Sequence, residues 1–403
     1  MSFAHHRKLF SCVFASLTAM HVGAASAQAR KLTPEVLDAM QKVAAVYSMI
    51  QTDYVAPVEG PSVLTSCMKG MFKSLDEQSS YLDKEQFDDL LHPPSDVVGI
   101  GVEMVLRAGL PTVMSAIEGS AADKAGLRPR DYILEVDGRS MEEVELPDAI
   151  KALRGKAGSK VELVIRRPGE ATNRSLSLTR EQTYIKAVSS RRASFDIGYI
   201  RIRSLNNSTA PEVRTEFRKL QDARPLRGLV LDLRNSPGGL LTSSIELAAM
   251  FLQADAPIVS TQGRLPESNQ AWTANRDEVL KNTMAKNDAW PEAMKTVPLV
   301  VLVNGGTASG AEIIAAALRD NNRAKLVGSK TFGRGSIQTI RPLAKDSAIK
   351  LTTAHYKTPS GRQLQGNGLD PDVQAPDVEH MEGAGTDGDV GMSKAIALLK
   401  APS

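Results

Sequence analysis

Two stretches decide the fold: RGLVLDLRNSPGG at Arg227–Gly239 and PLVVLVNGGTASGAEIIAAAL at Pro298–Leu318. Each is a short, continuously apolar run that ends in polar and glycine-rich residues and turns into a helix-like segment. A run of that length without alternation fits a strand buried on both faces of a parallel sheet. Working outward, GYIRIRSL and AKLVGS add further strand candidates, and helix candidates fall between them at Ala210–Leu220, Leu240–Leu252 and Ser309–Asn321. Strands alternating with helices predict an α/β core with parallel strands over residues 183–375. Residues 264–295 are polar, contain Trp272 and Trp290, and read as an insertion or lid. Residues 376–403 read as a flexible acidic, glycine-rich tail with a short C-terminal helix.

Upstream, from Val97 to Thr179, the pattern changes to short β-type runs (VVGIGVEM, PTVMSAI, DYILEVDG, SKVELVIRR) with one helical piece at Pro147–Arg154. This predicts a small β-rich domain over 95–182. Residues 28–94 are expected to be a helical segment, with Leu37, Met40, Val43, Val46 and Tyr47 spaced for one apolar face. Too few helices for a core of their own usually pack on a neighbour or on a second copy.

The first residues carry Arg7 and Lys8, an apolar run from Leu9 to about Gly23, and Ala25-Ser26-Ala27 before Gln28. That is the layout of a secretory signal peptide cleaved after Ala27, and the run is too short to span a bilayer. Its removal lowers the formal charge from +3 to +1 and leaves Cys67 as the one cysteine. A near-neutral chain gives no general case for nucleic-acid binding. A lone cysteine excludes an intrachain disulfide, even in an oxidising compartment.

At the end of the second strand, Ser309 begins a helix among Gly305, Gly306, Thr307, Ala308, Gly310 and Ala311. By spacing alone it is an N-cap. Its small neighbours leave the hydroxyl accessible, and the helix N-terminus brings N–H donors and positive dipole beside it. Asp232, Arg234 and Asn235 close the first strand before the sharp Pro237-Gly238-Gly239 turn. A serine nucleophile needs a base. His92 and His380 lie in linker-like sequence, and His355 in LTTAHY has no acidic neighbour to orient it, so a Ser-His-Asp arrangement is open but unsupported. No HExxH or paired-Cys pattern suggests a metal, and no cofactor is expected.

LVLDLRNSPGG, NGGTASGAE, KTFGRGSIQT (Lys330–Thr339), TPSGRQLQGNGLDPD (Thr358–Asp372) and LDEQSSYLD (Leu75–Asp83) together resemble the ordered motifs of the C-terminal processing, or tail-specific, peptidases. The resemblance implies a crotonase-like core, a Ser-Lys dyad and a preceding PDZ domain. By position, Ser309 is the nucleophile, Gln338 the supporting glutamine, and the amides of Gly238 or Gly239 and of Gly310 the oxyanion hole. The family's lysine position, however, is Arg334. A guanidinium keeps its proton and offers no acceptor. Three alternatives stay open. Lys330 serves as base, although in an extended chain it lies about 13 Å away. Arg334 stabilises charge while another group or water takes the proton. Or hydrolysis is lost and the protein is a peptide-binding adaptor.

Gly99-Ile100-Gly101-Val102, with GSAADKAGLRPRDYILEVDG and LRGKAGSKVEL, resembles a PDZ carboxylate loop and its domain, with Arg130 where a turn glycine is common. The resemblance implies capture of apolar C-terminal tails, and self-association through the N-terminal helices. An HtrA-like chymotrypsin-fold protease is disfavoured, because here the PDZ domain precedes the core. The expected whole is a periplasmic or secreted serine endopeptidase acting near protein C-termini.

Overall fold

The computed structural model describes residues 32–91, 98–182, 186–194, 196–281, 289–344, 346–377, 385 and 388–401. The expected signal peptide, His92 and His380 lie outside these.

A first compact unit contains helices α1 (Pro34–Asp53) and α2 (Gly60–Phe72). Thr33 caps α1 and Pro34 opens it, as an N-terminal signature requires. The expected apolar face forms, but α1 buries none of its residues: Met40 is 57% and Val46 55% exposed. The LDEQSSYLD motif leaves the helical pattern, with Ser80–Leu82 in a short strand.

The second unit holds the β-rich domain and the core. The former is a meander of β1 (Val102–Arg107), β2 (Leu110–Ala116), β3 (Tyr132–Val136), β4 (Lys160–Arg166) and β5 (Arg174–Thr179), with β1 at one edge, and helix α3 (Leu146–Leu153) packs on β1. Its core is Ile100, Val113, Ile133, Val161, Leu163 and Ile165. Arg130, at the position read as needing glycine, does hold a left-handed φ of 75°.

The core sheet runs β6 (Val188–Arg192), β7 (Ile197–Ile202) and, beyond helix α4 (Thr209–Ala223), β8 (Gly228–Asp232), to which α5 (Leu241–Phe251) succeeds. Two strands of a second sheet follow, β9 (Pro257–Gly263) and β10 (Ala271–Thr273), before β11 (Leu299–Val303), α6 (Gly310–Asp320) and β12 (Ala324–Gly328). A hairpin of β13 (Ser336–Ala344) and β14 (Ser347–Lys357), then β15 (Val373–Gln374) and α7 (Val390–Lys400), complete the chain. The main sheet has the order β6-β7-β8-β11-β12-β15, antiparallel at its first pair and parallel thereafter. Its central strands β7, β8 and β11 are buried on both faces. Leu229, Leu231, Val301 and Val303 pack under α4, α5 and α6, whereas Val230, Val300 and Leu302 pack under α7. This two-sided burial is why both deciding stretches lack alternation.

Two expectations change. The 264–295 segment is no free lid where it is described: β10 pairs with β9, and Trp272, Val279, Trp290 and Met294 join the main hydrophobic cluster. The tail is anchored as well. Asp389 is buried against Arg234, and Met392 and Ala395 of α7 are buried on the sheet. Acidic composition suggested a solvated chain, but one of its carboxylates finds a buried guanidinium instead. Among the described residues no helix is long and apolar enough to cross a membrane.

Candidate active site

The ends of β8 and β11 are tied together by side chains. Asn304 Oδ1 accepts from the amides of Asn235 (2.9 Å) and Gly306 (3.0 Å), and its Nδ2 donates to Asn235 Oδ1 (2.9 Å). Thr307 Oγ1 donates to the Leu233 carbonyl at 2.9 Å, and the Ala308 amide to the Ser236 carbonyl at 2.9 Å. The two loops thereby form one rigid edge at the carboxyl end of a parallel sheet, where α/β proteins place their sites.

Gly238 belongs to this contact. Its φ is +89°, and a Cβ there would lie 2.6 Å from the Gly310 nitrogen and 3.0 Å from Ser309 Cβ. Gly239 is equally constrained, since a Cβ would sit 2.0 Å from the Leu205 carbonyl oxygen. The turn thus comes against the serine only because these residues lack side chains. Ser309 itself has φ 51° and ψ −119°, a costly conformation for a residue with a Cβ. It precedes the first residue of α6, so the helix amides and dipole converge on it.

What holds that conformation is Glu312, which the sequence reading missed. Its carboxylate is fully buried and accepts from the amides of Ser309 (3.0 Å), Gly333 (2.9 Å) and Arg334 (2.9 Å) and from Thr331 Oγ1. Burial pushes its pKa up, and the four donors pull it back. One side chain therefore fixes both the serine and the loop bearing Arg334. The signal was present as Ser309-x-x-Glu312, a capping-box pattern.

Arg334 extends toward the β-rich domain, its Nη1 3.6 Å from Met114 Sδ. Burial pushes its pKa down and the Glu103 carboxylate pulls it up. Nearby, Phe332 packs with Val105, Met114 and Ala308 under the Arg107 guanidinium, 4.9 Å from the ring centroid. Arg130 Nη2 donates to the Thr331 carbonyl at 3.0 Å. The β1–β2 face thus lies directly on the FGRG loop.

The remaining predicted residues are placed as follows. Gln338 Nε2 donates to Ser336 Oγ (2.9 Å) and more weakly to Thr352 Oγ1 (3.4 Å). Lys330 is drawn to Asp370 at 3.3 Å with its side chain nearly half exposed. His355 sits opposite Gln262 in the second sheet, and its Nδ1 makes no hydrogen bond, so nothing there orients its ring as a triad requires. Lys350 on β14 had no sequence signal. Burial and the positive charge of Arg334 push its pKa down, against an opposing pull from Asp76. In the loop expected to bind peptides, Gly99 pairs with Glu181, Ile100 is buried, and Gly101 has φ 76° with its carbonyl accepting from Ile117 N (2.9 Å) and Ser120 Oγ (3.1 Å). Val102 starts edge strand β1. Among the described residues no cluster of His, Cys, Asp or Glu is placed to hold a metal.

Residues 196–375 match the family profile "Peptidase family S41", residues 112–167 "PDZ domain", and residues 11–86 "Activating protease CtpB N-terminal domain". The carboxy-terminal processing protease CtpA of Bacillus subtilis is 33% identical over 407 residues, covering 98% of this chain and 83% of that protein. The chain belongs to peptidase family S41. A second S41 relative, the carboxy-terminal-processing protease of Bartonella bacilliformis, is 35% identical over 81% of this chain and 73% of its own. The photosystem II D1 C-terminal processing protease matches in structure with a TM-score of 0.72 at 28% identity, covering 88% of this chain and 91% of that one. The S41 profile spans the mixed α/β core and the PDZ profile falls within the meander, over β2 to β4, so the chain is an S41 protease with a PDZ domain. Its substrates as a class are therefore proteins or peptides.

Proposed function

We propose that this is an exported serine endopeptidase that captures apolar C-terminal tails on its PDZ domain and cleaves them at Ser309. The observation that carries this reading is the strained Ser309, seated against Gly238 and held by Glu312 at the start of α6. In the reaction, Ser309 Oγ attacks the scissile carbonyl. The developing oxyanion is met by amides of Gly238 or Gly239 and Gly310, and Gln338 supports the site from β13. Arg334 contributes positive charge and takes no proton. The serine proton needs another acceptor, and Lys350 is proposed for it, since burial and the positive charge of Arg334 lower its pKa against an opposing pull from Asp76. Lys350 is accordingly assigned as proton acceptor, and Lys330, paired with Asp370, is not.

The PDZ face that lies on the FGRG loop covers the site, so capture of a tail along edge strand β1 shifts the domain and admits substrate. The leader-like first 27 residues support export to the periplasm or beyond. The exposed apolar face of α1 supports pairing with a second copy.

A specific observation favours a second reading. With arginine at the lysine position and Lys330 held by Asp370, the protein acts as a peptide-binding adaptor without hydrolysis. A tail-bearing protein incubated with wild type and with Ser309→Ala separates the two, with new termini read by mass spectrometry. Cleavage by wild type alone is expected, abolished in Ser309→Ala and strongly reduced in Lys350→Ala. Equal inertness of wild type and Ser309→Ala overturns the peptidase reading in favour of the adaptor.

A further inference from the structure

Beside the oxyanion turn lies a cavity of about 40 Å³, lined by Glu118, Arg201, Arg203, Ser204, Asn235 and Pro237 among others. Its chemistry is unusual. Arg201 is 3% exposed, and neither its Nε nor its Nη1 completes a hydrogen bond. The nearest acceptors are Glu118 Oε2 at 3.2 Å and Asp232 Oδ2 at 3.5 Å. Arg203 Nε donates to the same Glu118 oxygen, at 2.5 Å. Asp232 is already engaged by Arg234 Nη2 (2.7 Å) and by the Tyr199 hydroxyl (2.7 Å). The carboxylate that faces both guanidiniums is therefore Glu118.

Glu118 comes from the PDZ domain, in the turn after β2, where the Gly119 amide donates to Asp123 Oδ2 at 2.9 Å. The arginines belong to the core, on and just after β7. If the PDZ domain moves away, its carboxylate leaves with it; buried Arg201 is left with the already engaged Asp232 at 3.5 Å, and half-buried Arg203 with Ser189 Oγ at 2.9 Å. Buried charge without a partner is strongly unfavourable. Planar guanidiniums are suited to carboxylates, and one is bound here already. The cavity itself holds little more than one water, so a ligand enters only in exchange for Glu118. The Asn235–Pro237 wall leads into Gly238, which lies against Ser309.

We propose that Arg201 and Arg203 form a carboxylate-binding subsite, occupied by Glu118 in the closed arrangement and taken over by a carboxylate of the bound peptide when the PDZ domain withdraws. The carboxylate is either an acidic side chain or the free C-terminus. The proposal rests on the peptide-binding part of the reading above, and not on hydrolysis. The test therefore uses Ser309→Ala protein and fluorescence anisotropy. One labelled peptide carries a single internal glutamate and an amidated C-terminus, and its control has glutamine. The other has no acidic side chain and a free C-terminus, and its control is the amide. Glu118→Gln is expected to tighten at least one carboxylate peptide ten-fold or more relative to its control, and adding Arg203→Gln to remove that gain. Which peptide gains identifies the source. No selective gain for either carboxylate, or a gain that survives Arg203→Gln, overturns the proposal. If Glu118→Gln fails to fold, Arg203→Gln alone decides: any carboxylate preference of the parent must fall at least three-fold, and an unchanged or absent preference overturns it.

Discussion

At the residue scale, the site is governed by atoms that are absent as much as by those present. Gly238→Ala places a Cβ against the Gly310 nitrogen at a φ of +89°, so the turn must move and the proposed oxyanion donors with it. Cleavage is expected to fall by about 10²–10³-fold, measured as kcat/KM on a tail-bearing substrate, while tail binding to the PDZ domain persists. Arg334→Lys restores a side chain able to lose its proton in the same buried setting, and is expected to raise the rate at least ten-fold. Lys330→Ala, in contrast, is expected to leave it within two-fold. Residues of this kind divide sharply in how far the sequence discloses them. Gly238 and Gly239 were legible because close backbone approach forces a residue type, whereas Ser309 reads by spacing as an N-cap and as a nucleophile only by resemblance. Lys350 was not, because its neighbourhood is made by β14 returning beside the FGRG loop, which no local pattern encodes. Glu312 stood between, visible as a capping box but not as the clamp on the Arg334 loop.

At the element scale, α7 is joined to the sheet by charge as well as by apolar packing. Arg234 donates to Asp232 and to Asp389, the residue that caps α7. Burial alone would raise the Asp232 carboxyl, but Arg234 and Arg201 outweigh it and hold it well below the usual carboxylate range. For Asp389 too, burial opposes and Arg234 prevails, so the net shift is downward. A depressed folded pKa contributes stability that is fully present above the unfolded value near 4 and lost as pH falls through the folded one. Asp389→Asn is therefore expected to cost about 3 kcal/mol at neutral pH in urea unfolding, with the difference shrinking below about pH 4. An equal difference at pH 7 and pH 3 contradicts this. Helix α1 makes the opposite case, an apolar face with no charge anchoring it. Met40→Glu with Val46→Glu is expected to shift light-scattering mass from dimer or higher to monomer, and unchanged mass removes the helix from any interface. Helices α3 to α6 were legible to within one to three residues through their period. The tail's anchoring was not, because a buried ion pair spanning 155 positions leaves no trace in local composition.

At the scale of the whole molecule, the order of helical segment, PDZ domain and α/β core was readable from changes in period and punctuation. The seating of the PDZ domain on the core was not. It depends on Arg107 over Phe332, Arg130 on Thr331 and Glu118 on Arg203, pairs drawn from distant motifs whose surfaces meet only after each domain has folded. That seating places a PDZ domain against the FGRG loop beside the serine proposed as nucleophile, and the proposed function stands or falls on that serine being reactive. The most direct measurement is intact mass after exposure to a small fluorophosphonate, followed by peptide mapping. The account predicts one adduct in the wild-type protein, mapped to Ser309, faster to form when an apolar tail peptide is bound and absent in Ser309→Ala. No adduct on Ser309, with or without the tail peptide, would contradict it.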